Sequence, residues 1–153
     1  MYIFGVDLSL SNSGVCIFDY GGNPVEILSI PTDPKLNRKD RLKIIGDAFL
    51  KLREKYETNL IIFEAGFSRH IKSTQALYAV KGLVMYLFAD CEQEEYAPLT
   101  VKKVLTGTGK ADKDAVQKYV LERFPDIEFK NKDESDAVAT ILTYFIKNDM
   151  IKS

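Results

Sequence analysis

The sequence predicts an α/β fold: a mixed sheet with helices packed on both sides. Three observations carry this. Short, apolar, β-prone stretches at residues 2–8, 13–20 and 24–30 are joined by hairpin-type links, which predicts an antiparallel meander. Residues 39–56 then place Leu42, Ile45, Phe49 and Leu52 at helical spacing. Leu60-Ile61-Ile62-Phe63 is a continuous apolar run, as expected of a central strand covered on both faces.

The elements follow in order. Gly21-Gly22-Asn23 marks the tight turn before the third strand. Residues 33–38 are a polar connection to the first helix. A loop at residues 65–69 follows the central strand, then a helix over residues 72–89. Residues 94–97 form a short strand candidate ending at Pro98. Thr100 is positioned to cap a short helix at residues 101–105, which Gly107-Thr108-Gly109 stops. Asp112 caps the next helix, ending near Phe124-Pro125. The last helix spans residues 133–147, with Ala137, Ile141 and Phe145 on one face. The order is βββαβαβααα, and no linker divides it, so residues 1–153 read as a single domain.

Composition narrows the function classes. The chain has 153 residues, a net charge of −1 and 46% hydrophobic residues, a balance suited to one sizeable core. Whole-chain charge alone does not suggest a nucleic-acid partner, because such domains are often basic. The longest apolar run, residues 79–89, is broken by Lys81 and Gly82 and is far short of the roughly 20 residues that span a bilayer. No membrane partner is expected, and no secretory signal is recognisable. Cys16 and Cys91 are isolated, which suits free thiols in a reducing cytoplasm rather than a disulfide framework or a zinc site.

Four acids occupy structurally awkward places. Asp7 interrupts the apolar stretch that opens with Tyr2 to Val6 and is followed by Leu8, and Glu64 ends Leu60-Ile61-Ile62-Phe63. Asp133 and Asp136, three apart at the start of the last helix, share a face. A carboxylate at the end of a buried strand loses solvation unless positive charge meets it, and Mg²⁺ prefers carboxylate oxygen. Four converging carboxylates can hold two metal ions ~3.5–4 Å apart, the arrangement for in-line phosphodiester hydrolysis. Each acid also has a plainer reading. Asp133 and Asp136 fit helix capping, Asp7 fits a turn with Ser9, Ser11 and Asn12, and Glu64 fits a pair with Arg69 or a lysine.

Taken together, the motifs resemble a known family. Phe4-Gly5-Val6-Asp7-Leu8-Ser9 followed by Ser13-Gly14-Val15 is similar to the first strand-turn-strand of RuvC-type Holliday-junction endonucleases, of the ribonuclease H-like superfamily. Ile61-Ile62-Phe63-Glu64 resembles that family's second acidic strand. Val101-Lys102-Lys103, Gly107-Thr108-Gly109-Lys110-Ala111-Asp112-Lys113 and Val116-Gln117 resemble its basic segment. Asp133-Glu134-Ser135-Asp136-Ala137-Val138-Ala139 resembles its closing helix. The matches run in family order from residue 4 to about residue 142.

The resemblance implies a five-stranded mixed sheet, its first three strands antiparallel, flanked by helices. It implies a catalytic and metal-binding tetrad of Asp7, Glu64, Asp133 and Asp136, with two Mg²⁺ ions per site and Mn²⁺ as a substitute. Lys102 and Lys113, with Lys103 and Lys110 in the same segment, are the implied DNA contacts. Phe67 falls where the family places an aromatic against the junction's bases, beside Arg69. The implied enzyme is a homodimer that nicks four-way junctions, and by extension other branched DNA such as forks and flaps, leaving 5′ phosphates. The helix at residues 72–89 carries Leu77, Val80, Val84, Leu87 and Phe88, more than one buried face needs, and the family dimerises through the corresponding helix. The loop at residues 65–69 departs from the common bacterial version. The short chain resembles phage-encoded members, which would act in the host cytoplasm. His70, the only histidine, fits a surface or capping role.

Competing readings are weaker. An actin-like ATPase would need a second phosphate loop, which the sequence lacks. A non-catalytic branched-DNA binding module would lose acids from the tetrad, and all four are present. A nuclease acting on RNA–DNA hybrid shares the acids but not the basic segment. The charge distribution agrees with DNA. Lys35, Arg38, Lys39, Arg41 and Lys43 stand against Asp40, and Lys102, Lys103, Lys110, Lys113 and Lys118 stand against Asp112 and Asp114. Acidic charge collects at Asp90, Glu92, Glu94 and Glu95 and at the proposed metal ligands.

Overall fold

The computed structural model describes residues 1–66 and 70–152. Among them the strands are β1 (Tyr2–Asp7), β2 (Asn12–Asp19), β3 (Pro24–Pro31), β4 (Thr58–Glu64) and β5 (Glu92–Tyr96). The helices are α1 (Arg38–Lys55), α2 (Ile71–Leu87), α3 (Pro98–Thr106), α4 (Lys113–Arg123) and α5 (Lys132–Lys147). The strands form one sheet in the order β3-β2-β1-β4-β5. β1 pairs antiparallel with β2 and β2 with β3, as their short links require. β4 joins β1 in parallel after the α1 crossover, and β5 joins β4 in parallel after α2. The expected five-stranded mixed sheet with an antiparallel first half is therefore present.

Both faces of the sheet are covered. Phe4, Val6, Val15, Ile17, Ile61 and Phe63 meet α1 and α2 through Ile45, Phe49, Val80, Val84 and Phe88. Ile3, Cys16, Phe18, Leu60 and Ile62 meet α3, α4 and α5. Alternate residues of β1 and β4 therefore enter opposite cores, which is why both strands read as unbroken apolar runs. Each fully buried Phe or Ile contributes on the order of 1.5–3 kcal/mol of transfer free energy. Cys16 and Cys91 are free thiols, and no helix among the described residues is long and apolar enough to cross a membrane.

α5 lies unusually close to the strands. A Cβ built on Gly5 would stand 2.8 Å from Cys16 Sγ and 2.9 Å from Ile141 Cβ. A Cβ on Gly14 would stand 1.9 Å from the carbonyl oxygen of Asp133. Absent side chains on β1 and β2 thus let the first turn of α5 rest on the sheet, and this contact places the acids that the turn carries.

Several boundaries differ from expectation. Thr100 does not cap α3: Ala97 is the N-cap and Pro98 opens the helix, because proline's fixed φ and missing N–H suit the first helical position. β5 begins at Glu92, earlier than expected, since pairing with β4 recruits the acidic residues into an edge strand. In α2, Val80 and Val84 are core, as is Phe88 at its C-cap, while Leu77 and Leu87 pack partly buried against them. The exposed apolar side chains of that helix are instead Ile71, Tyr78, Met85 and Tyr86.

Candidate active site

The site forms where two parallel strands end together. Val6 of β1 stands in register with Phe63 of β4, so the next residues, Asp7 and Glu64, finish side by side. Asp7 also faces Gly14 across the β1–β2 ladder. The first turn of α5 rests on Gly14, bringing in Asp133 and, one turn on, Asp136. Carboxylate oxygens of Asp7, Glu64 and Asp136 lie within 4.8 Å of one another. Asp133 stands beside this trio, its Oδ2 accepting a hydrogen bond of 2.8 Å from Asn12 Nδ2. All four acids line one cleft of about 490 Å³, together with Lys102 and Lys113.

The electrostatics follow from crowding. Burial is the largest influence raising the Asp7 carboxyl far above its usual range, and the charges of Glu64, Asp136 and Asp133 add to it. Glu64 is raised first by burial and then by Asp136, against the opposing effects of its hydrogen bond with Asp7 and of Lys113. Burial also raises Asp136, while the charge of Lys113 and the Gln117 amide pull it back. Lys113 Nζ stands 3.9 Å from Asp136 Oδ2, and Gln117 Nε2 donates to Asp136 Oδ1 at 3.4 Å. One lysine contact does not balance four crowded acids. The missing positive charge and the all-oxygen donor set fit a hard divalent cation.

The plainer readings fare differently. The N-cap of α5 is Asn131, whose side chain accepts from the Glu134 N–H, so capping does not explain Asp133. The turn after β1 is held by Ser9 and Ser13, not by Asp7: Ser9 Oγ donates to the Asn12 carbonyl and Ser13 Oγ to that of Ser9. Glu64 does feel a lysine, Lys113. Lys103 and Lys110 are exposed and lie outside the cleft lining. Phe67 and Arg69 lie outside the described residues. His70 is the exposed N-cap residue of α2. Sequence reasoning missed the roles of Asn12 and Gln117. Gln117 had a signal, since it sits one helical turn after Lys113 and shares its face.

A mixed sheet in this order, with acids gathered at the shared end of two parallel strands, defines a ribonuclease H-like fold. The family model described as "Crossover junction endodeoxyribonuclease RuvC" matches residues 3–144. The protein of that description from Treponema denticola is 32% identical, over 92% of this chain and 83% of its own length. The one from Borrelia turicatae is 29% identical, over 94% and 95%. The solved structure of T. thermophilus RuvC in complex with Holliday junction substrate superposes with a TM-score of 0.87 at 22% identity, covering 98% of this chain and 96% of that one. The chain belongs to the RuvC family of crossover junction endodeoxyribonucleases, which makes it an enzyme of the nuclease class concerned with DNA recombination and repair. These matches carry no support for the expected phage origin.

Proposed function

We propose that this chain, acting as a single nuclease domain in the cytoplasm, nicks and resolves four-way DNA junctions in a Mg²⁺-dependent hydrolysis that leaves 5′ phosphates. The observation that carries this is the convergence of Asp7, Glu64 and Asp136 oxygens within 4.8 Å at the floor of a lysine-edged cleft. Asp7, Glu64 and Asp136 would hold two Mg²⁺ ions, with Asp133 completing the set and Mn²⁺ substituting. Bound there, the ions supply an activated water and a counter-charge for the phosphate and its leaving 3′ oxygen. The chain's own groups do the rest. Lys102 and Lys113 draw a backbone phosphate to a cleft that its acids would otherwise make repellent. Gln117 orients Asp136, and Asn12 orients Asp133. Phe67 and Arg69, after the second acid, are proposed to meet the junction's bases, and Lys103 and Lys110 its outer phosphates.

The deciding assay compares four-way junctions, forks, flaps and RNA–DNA hybrids as substrates. Mg²⁺-dependent paired nicks in the junction are expected, whereas cleavage confined to hybrids would overturn the proposal. Lys102→Ala and Lys113→Ala should each lower the salt slope of junction binding by about one. Paired nicks need two sites, so a homodimer is proposed, with the exposed Tyr78, Met85 and Tyr86 of α2 as apolar surface for it. Sedimentation at micromolar concentration should show a dimer, and a monomer would count against it.

A further inference from the structure

A second cleft opens directly off the acidic one. It measures about 300 Å³ and is lined by Ser9, Ser11, Arg41, Lys72, Ser73 and Leu77, among others. Ser9, Ser73 and Leu77 line both clefts, so the two share a wall. The chemistry inverts across that wall. The first cleft holds four carboxylates beside two lysines, while the second has two cations, three hydroxyls and, among the described residues, no acid in its lining.

Arg41 is the informative residue. Its Nε donates to Thr32 Oγ1 at 2.9 Å, and that hydroxyl in turn donates to the Leu10 carbonyl. The guanidinium is thus held through one edge. Among the described residues no carboxylate lies within ion-pair distance of Arg41 or Lys72. Two other cations of the same basic segment have acidic partners: Lys43 meets Asp47 at 2.7 Å and Lys39 meets Asp40 at 3.9 Å. A fixed, unneutralised arginine fork beside a lysine and several hydroxyls is matched to a tetrahedral oxyanion, which it can grip through two parallel hydrogen bonds.

We infer that this second cleft binds a backbone phosphate of the DNA strand whose neighbouring phosphate occupies the acidic cleft. The inference rests on the nuclease reading and extends it. Lys102 and Lys113 line the acidic cleft, and Arg41 and Lys72 extend the cationic path past the wall that both clefts share. A strand gripped in the second cleft is held taut across the acids that cut it, and its register sets which linkage is cleaved.

The test uses the full chain carrying Asp7→Asn, so that binding is read without cleavage, and junctions with one methylphosphonate, which removes one phosphate charge, at each linkage near the cleavage point. One linkage beyond that point should weaken binding about tenfold. Arg41→Gln and Lys72→Gln should weaken binding similarly and lower the salt slope by about one each. Combined with the methylphosphonate, they should add nothing at that linkage and combine additively at every other. Lys51→Ala, at an exposed position further along α1, should be additive everywhere. Lys72 is exposed, so its variant remains readable even where Arg41→Gln is poorly folded. Additive effects at every linkage with binding intact overturn this inference alone. A parent that binds no branched DNA overturns the nuclease reading and this inference with it. Thermal stabilisation by inorganic phosphate that requires Arg41, without any methylphosphonate effect, assigns the cleft to a free anion and overturns the strand assignment.

Discussion

Gly14→Ala should leave a protein that melts far below the wild type and cuts at least about 100-fold more slowly. The added Cβ would sit 1.9 Å from the Asp133 carbonyl oxygen and 2.2 Å from its carbonyl carbon. Neither is the far end of a flexible side chain, so the first turn of α5 must lift or β2 must bend. Overpacking of this kind costs ~1–3 kcal/mol or more, and in a chain of this size each kcal/mol lowers the melting temperature by about 2–4 °C. The loss in rate has a separate origin. Asp133 and Asp136 ride on the displaced turn, and a misplacement of about 1 Å can cost ~10²-fold. Thermal unfolding followed by circular dichroism reads the first effect, and single-turnover cleavage below the melting point reads the second. Wild-type behaviour in both would mean that α5 does not rest on Gly14 as described.

Asp7→Asn should abolish cleavage, leave junction binding largely intact and make the metal-free protein more stable. The gain in stability follows from linkage. Burial and three neighbouring acids raise the folded-state carboxyl of Asp7 well above its ordinary value of 3.8. Between the two values the folded chain holds a proton that the unfolded chain has released. Stability of the metal-free protein therefore falls as pH rises, starting near 3.8 and continuing past neutrality. Asparagine cannot ionise, so the variant should show a shallower decline and a higher melting temperature in EDTA at neutral pH. Mg²⁺ should raise the melting temperature of the wild type and do so less in the variant. Retained Mg²⁺-dependent cleavage would remove Asp7 from the catalytic set.

The parts legible in sequence were those where one residue's environment is dictated by its own neighbours in the chain. Leu60, Ile61, Ile62 and Phe63 betrayed a strand covered on both faces, and Glu64 marked where it ends, whereas β1 closes at Asp7, one residue short of the stretch to Leu8 that its apolar pattern suggests. Asp112 declared the start of α4, and its side chain does accept from the Ala115 N–H. What stayed hidden depends on distant partners. β5 is made mostly of acidic and amide residues with weak strand preference, and it exists because β4 offers it a ladder. Gln93 then donates to the carbonyls of Met85 and Phe88 and closes the end of α2, which no local pattern announces. The bond from Asn12 to Asp133 joins residues at opposite ends of the chain. Within the site, the identities of the acids were readable, but the separation of Asp133 from the other three was not.

The acids of the cleft come from β1, from β4 and from the last helix, α5. A chain emerging from the ribosome can complete its N-terminal hairpins early, yet it holds only two of the four clustered acids until α5 has been synthesised and has settled onto Gly14 and Gly5. Final docking of that helix therefore closes the core shared with α3 and α4 and completes the acidic cleft in one step, so a copy in which α5 has not settled lacks both.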